Sequence, residues 1–163
     1  MSQVDPHPIV IEPARAADAP AVIALIGRVF AEYGFAWDPA TEVPDLYQLD
    51  RRYGGEAGAF WVARLDGQVV GSVGVERLPD GRAELHRLYL DATLRGRGVG
   101  RALVEAVLGW CRAAGIGRLT LWSDTRFDRA HRLYEGMGFT KTGERELPDD
   151  PNDTREFGYE RAV

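Results

Sequence analysis

"LRGRGVGRALVEAVLGW", residues 94–110, decides how this chain is read. Gly96, Gly98 and Gly100 alternate with Arg95, Arg97, Val99 and Arg101 at the head of an apolar series spaced three and four apart. That series, Val99, Leu103, Val107 and Trp110, predicts a helix with one buried face that ends near Gly115. A helix start presents unpaired N–H groups and the positive end of the helix dipole, and both suit an anion such as a phosphate. Glycines there let the backbone approach the ligand closely, and arginines add charge-assisted hydrogen bonds. A tight turn alone would not need three glycines.

Upstream, three β-rich runs, Ala59–Leu65, Gln68–Leu78 and Ala83–Leu90, are separated by Asp66-Gly67 and Pro79-Asp80-Gly81. These are hairpin turn sequences, so the runs predict an antiparallel meander. Before them come a short strand at Ile9–Glu12 and a helix with Asp18 as N-cap, Pro20 in its first turn, and Ala21, Leu25, Val29 and Phe30 as its stripe. An aromatic loop follows, punctuated by Pro39 and Pro44, with a short helix from about Asp45 to Tyr53. After residue 115 the pattern gives a buried strand "RLTLWSD", a helix "RFDRAHRLYEGMG", and a final hairpin from "FTKTGEREL" and "TREFGYERAV". The order is β-α-(α)-β-β-β-α-β-α-β-β. Residues 1–7 read as a flexible leader and 8–163 as one domain of mixed α/β class.

A net charge of −5 argues against a nucleic-acid binder. No stretch approaches the roughly 20 apolar residues of a membrane span, and the first ten residues lack a signal-peptide apolar core, so a cytoplasmic protein with no membrane partner is the expectation. One cysteine, Cys111, excludes an internal disulfide. His7, His86 and His131 are far apart in sequence, so no metal is expected.

Three nucleotide-binding patterns compete for the opening stretch. A Walker A loop needs a lysine that is missing here. A dinucleotide fingerprint needs its third glycine elsewhere and a parallel strand before it. The pattern R/Q-x-x-G-x-G/A fits Arg95-Gly96-Arg97-Gly98-Val99-Gly100, after a strand ending in "LYL". This resembles the acetyl-CoA loop of the GNAT superfamily of N-acetyltransferases. "LYEGMGF", residues 133–139, is similar to that superfamily's second signature, LYxxxGF, and the element order is also the GNAT order.

The resemblance implies a mostly antiparallel twisted sheet of about 6–7 strands, splayed between strands 83–90 and 118–123 and flanked by about four helices. It implies acetyl-CoA as cosubstrate, with its diphosphate on Arg95 to Arg101 and its pantetheine arm paired with the backbone of Leu88, Tyr89 and Leu90. It implies Tyr134 as the acid that protonates the leaving thiolate. Phe127, Ala130 and Tyr134 share a helix face, with small Ala130 making room for the cofactor. Phe127 stands where the signature often carries an asparagine that contacts the pantetheine.

Glu84 lies eleven residues before Arg95, the offset of the base glutamate in histone-type GNAT enzymes. Alternation puts Glu84, His86, Leu88 and Leu90 on one strand face, and His86 is a rival base because imidazole titrates nearer neutrality. Acceptor selection in the superfamily falls to the first helices and the last hairpin. Glu32, Tyr33, Phe35, Trp37 and Asp38 could therefore form an aromatic, acidic mouth for a protonated amine. Asp149, Asp150 and Asp153 read as a solvated turn. A small-molecule amine is the favoured acceptor; a protein N-terminus or lysine, an acyl-CoA-binding regulator and a nucleotide-binding module stay open. GNAT enzymes are often homodimers, and the edges of the last hairpin could pair.

Overall fold

The turns place the strands. In the computed structural model, which describes residues 7–163, Asp66 and Gly67 have φ of 50° and 78°. A two-residue hairpin loop needs that left-handed pair to match the strand twist. It joins β2 (Gly58–Leu65) to β3 (Gln68–Arg77), and the Gly81 turn joins β3 to β4 (Ala83–Leu90). β1 (Val10–Pro13) pairs with the outer side of β2. The crossover helix α4 (Val99–Ala113) then brings β5 (Arg118–Asp124) parallel to β4. The closing hairpin, β6 (Thr140–Glu146) and β7 (Arg155–Ala162), returns so that β7 lies inside, giving the order β1-β2-β3-β4-β5-β7-β6. Of the leader, only His7 is described; its Nδ1 lies 3.1 Å from Asp66 Oδ1.

β4 and β5 pair at three positions only, Ala83 with Leu119, Glu84 with Thr120 and Leu85 with Leu121. Beyond Leu85 the two strands diverge, and His86 to Leu90 of β4 pair with β3 alone. A bulge marks the same place. Arg87 and Leu88 together face Val73, and Arg87 takes φ of 53°. The Ser72 hydroxyl donates to Arg87 O at 2.8 Å and holds the kink.

The bulge corrects the expected alternation. Glu84 and His86 share their face with Tyr89, not with Leu88 and Leu90, because an inserted residue reverses the side of all that follow it. Leu90 instead meets Leu103 of α4: a β-carbon built on Gly71 would lie 3.3 Å from Leu90 Cδ1 and 3.2 Å from Leu103 Cδ1.

The sheet carries a core on each face. One packs α4 and α5 (Asp128–Gly136) with Leu85, Leu119, Leu121 and Tyr159; the other packs α1 (Ala19–Glu32) with Phe60, Val62 and Tyr53. The α1 stripe is Val22, Leu25, Ile26, Val29 and Phe30, while Ala21 faces solvent, one position off the stripe. Asp18 does not cap α1 with its side chain. Its carboxylate accepts from the Arg15 N–H at 2.8 Å and from the Arg64 guanidinium at 2.6 Å.

On α4, Val104, Leu108 and Cys111 join Val99, Leu103 and Val107 in the core; Trp110 is only half-buried at the flank. The helix closes as expected. Gly115 has φ of 70°, and the Ile116 N–H reaches back to Cys111 O at 2.9 Å. The aromatic loop forms α2 (Pro39–Glu42), a 3₁₀ turn at Pro44–Gln48 and α3 (Leu49–Arg52), each of the first two opening on a proline. No helix among the described residues is long and apolar enough to cross a membrane.

Candidate active site

α4 begins without a side-chain cap. Gly98, its N-cap, has φ of 77° and Gly96 has φ of 81°, conformations that cost a residue with a side chain about 1–3 kcal/mol. Gly100 serves differently. A β-carbon there would lie 3.2 Å from Leu133 Cδ2, so its absence lets α5 come close. The first bond to reach back is from the Ala102 N–H to Gly98 O at 3.1 Å, which leaves the amides of Val99, Gly100 and Arg101 ahead of it.

These amides border a cleft of about 570 Å³, lined also by Leu88 to Leu90, Arg95, Arg101, Arg129, Arg132, Phe127 and Ala130. Four guanidinium groups thus surround an open helix start. Arg97 is exposed and lies outside the lining. Arg129 and Arg132 were not singled out from the sequence, although "RFDRAHR" repeats arginine every third residue, the spacing of one helix face.

The cleft runs into a second cavity of about 450 Å³ on the other side of β4. Leu88, Tyr89, Phe127 and Ala130 border both, so the two meet where β4 has left β5. Phe127 stands at the junction, its ring 4.9 Å from Tyr33 and 6.3 Å from Tyr89.

Tyr134, Glu84 and His86 all line this second cavity. Tyr134 is 4% exposed, and its hydroxyl has no hydrogen-bond partner among the described residues. Burial pushes its pKa well above the ordinary phenol value, so the hydroxyl keeps its proton. Glu84 Oε1 lies 2.7 Å from His86 Nε2, and that hydrogen bond, more than any other influence, holds the Glu84 carboxyl below the usual carboxylate range. The far side of the His86 ring lies 3.2 Å from the Tyr53 hydroxyl, which donates to Asp45 at 2.5 Å. Asp45 is also paired with Arg87 at 2.7 Å.

The expected acceptor mouth divides. Phe35 lines the cavity, with the Arg126 guanidinium 4.0 Å above its ring. Tyr33 stacks on Phe35 but borders the arginine-lined cleft instead. Trp37 packs on Phe30 and covers Gly27, away from both spaces. Glu32 forms a two-pronged ion pair with Arg95, one contact at 2.9 Å, and so ties the glycine loop to the end of α1. The carboxylates that do line the cavity are Glu42, Asp45, Glu84, Asp124, Asp150 and Glu156, set against Arg52, Arg87 and Arg145.

Asp150 belongs to this wall as well as to its turn, where it accepts from the Thr154 hydroxyl at 2.5 Å. The Asn152 amide bonds both ways with the backbone of Ala36, at 2.7 and 3.1 Å, and so joins the loop after α1 to the β6–β7 loop. Asp45, Tyr53, Arg87 and Asn152 lie in no motif. They meet only through the bulge and these long-range bonds.

A sequence profile described as the acetyltransferase (GNAT) family matches residues 26–139. The chain belongs to the GNAT family. It is 31% identical to the uncharacterized N-acetyltransferase YjgM of Escherichia coli, over 85% of this chain and 86% of that protein. It is 40% identical to rat N-acetyltransferase 8F1 over 63% of this chain, and it spans about half the length of such mammalian relatives, 49% of this one. Among solved structures, a GNAT acetyltransferase from Staphylococcus aureus superposes with a TM-score of 0.83 at 24% identity, covering 95% of this chain and 99% of that one. The fold of the ribosomal-protein-S18-alanine N-acetyltransferase of Escherichia coli is similar too, with a TM-score of 0.75 at 20% identity over 96% and 94% of the two chains.

Proposed function

We propose that this GNAT protein transfers the acetyl group of acetyl-CoA to the amine of a small cationic acceptor. The observation that carries this reading is the continuity of the two spaces. An uncapped helix start ringed by arginines leads, along the unpaired edge of β4, to a cavity holding an unpartnered phenol and a carboxylate–imidazole pair. The residues present fit acetyl-CoA: the amides of Val99 to Arg101 with Arg101, Arg129 and Arg132 suit a diphosphate, and the backbone of Leu88 to Leu90 can add an extended arm as a strand.

The thioester supplies an acyl group already activated toward amines. The chain then has to orient the amine, take its proton and return one to sulfur. Glu84 with His86 serves as the proton acceptor. Tyr134 serves as the acid, since a phenol kept protonated by burial can donate to a thiolate. The excess of carboxylates over arginines around the cavity suits a protonated amine, and the Asn152–Ala36 bridge between two of its walls suits a small one. A buried, free Cys111 and a thioester donor suit the cytoplasm.

The test is release of free thiol from acetyl-CoA across a panel of monoamines, diamines, amino acids and short peptides. Thiol released with small amines and not with peptides is the expected result. Stabilisation against heat by ATP but not by acetyl-CoA would overturn the assignment.

A further inference from the structure

The arginines grouped with the diphosphate above carry more charge than it needs. A diphosphate within a coenzyme is a dianion, and the open amides of Val99, Gly100 and Arg101 with the dipole of α4 already answer much of it. Arg101 stands on that same helix. Arg129 and Arg132 come instead from α5, the neighbouring wall of the cleft, and lie three residues apart on one of its faces.

The four lining arginines differ in what else they touch. Arg95 is engaged by Glu32 through two contacts, one at 2.9 Å. Arg129 and Arg132 are exposed and make no hydrogen bond or ion pair with any described residue. Like charges at helical spacing repel, so α5 gains nothing from them by itself. Both also line a recess of about 280 Å³ that opens off the cleft and shares Tyr33 with it. Its other walls are Glu32, Arg126 and Asp128. Glu32 is tied to Arg95, and Arg126 to Asp124 at 2.8 and 2.9 Å. Asp128 alone is left against Arg129 and Arg132, so the recess stays positive.

Coenzyme A carries, one ribose beyond its diphosphate, a phosphate monoester on the 3′ carbon. Such a monoester is close to a dianion at neutral pH and offers its oxygens to guanidinium donors. We propose that Arg129 and Arg132 bind the 3′-phosphate of acetyl-CoA in this recess, and so make the protein selective for the coenzyme over its 3′-dephospho form. This rests on the acetyl-CoA reading above. The diphosphate then belongs to the α4 amides and Arg101, and the monoester to α5. The two anionic groups of one ligand are thus held by two helices that Gly100 allows to come close.

Titration calorimetry of the full chain with CoA and with 3′-dephospho-CoA reads the site without turnover. The wild type is expected to bind CoA roughly tenfold more tightly than dephospho-CoA, and added salt should narrow that ratio. In the double variant Arg129→Gln, Arg132→Gln the ratio should fall below about twofold, while affinity for dephospho-CoA stays within about twofold of the wild type. Neither side chain makes a bond in the protein, so the double variant should melt with the wild type. Arg112→Gln removes the same charge from the far end of α4, and it should keep the wild-type ratio.

Equal affinity of the wild type for the two coenzymes overturns the proposal. So does a double variant that keeps the wild-type ratio, or one that loses affinity for both coenzymes alike, since its arginines would then serve the diphosphate. Failure of the acetyl-CoA reading looks different. Neither coenzyme would then bind the wild type, and the proposal would fall with it.

Discussion

The hydroxyl of Tyr134 opens on the cavity and has no hydrogen-bond partner among the described residues, so hydrogen bonding through it adds nothing to stability. Tyr134→Phe should leave the melting temperature unmoved and lower kcat by roughly 10²-fold; paired thermal melts and thiol-release rates check this. Asp45 is the opposite case. Asp45→Ala strands the half-buried Arg87 cation and the Tyr53 hydroxyl, and should cost about 3–5 kcal/mol in urea unfolding, where Tyr53→Phe costs about 1 kcal/mol. Tyr134 and Glu84 were singled out in the sequence because one sits in the second signature and the other at a fixed offset from the glycine loop, and both line the one cavity. Asp45 and Tyr53 were not, because they reach His86 from a separate loop, and a residue such as Arg87 with positive φ has no local signature. Glu32 was misplaced for a related reason: an acidic residue near aromatics reads as a mouth until its arginine partner is seen.

Among the elements, the α4 start separates backbone need from space. Gly98→Ala forces φ of 77° on a side chain, so it should cost about 1–3 kcal/mol and weaken acetyl-CoA binding, measured by titration calorimetry. Gly109 lies inside the same helix with open space around its β-position, and Gly109→Ala should stabilise the protein by about 0.5–1 kcal/mol. On the acceptor side, Asn152→Ala cuts the bridge to Ala36. It should lower stability by no more than about 1–3 kcal/mol while raising the relative rate with bulkier amines, which an acceptor-size series would show. The strands of the meander were readable to within a residue or so because Asp66-Gly67 and the Gly81 turn carry their own conformational demand. The bulge in β4 escaped because its supports, Ser72 and Asp45, are far away in the chain, and with it escaped the correct facing of Leu88, Tyr89 and Leu90.

Across the whole molecule, Asp18 and Asp45 are among the carboxylates that tie distant parts of the chain together. Asp18 pairs with Arg64 of β2, and Asp45 with Arg87 of β4. Burial works against both charges, but the arginine bonds prevail and both folded-state pKa values lie below the ordinary one. A depressed carboxyl pKa contributes stability that is complete above the unfolded value of ~3.9 and is lost as pH falls through the folded value. Urea midpoints should therefore hold steady from pH 7 to about 5 and drop below about 4. Asp18→Asn should flatten that drop.

The place of β7 inside β6 had no signal in the sequence, whereas the splay between strands 83–90 and 118–123 followed from the family resemblance. How briefly those strands touch is a different matter. Seven strands make one sheet, yet its two halves are riveted by three rungs. Stretched across that line, the sheet should part there before it yields elsewhere, unless a molecule is wedged between the strands. If acetyl-CoA lies there as proposed, loading with it should raise the unfolding force and slow deuterium uptake at Leu88 to Leu90, making mechanical toughness a property that a bound molecule lends to the sheet.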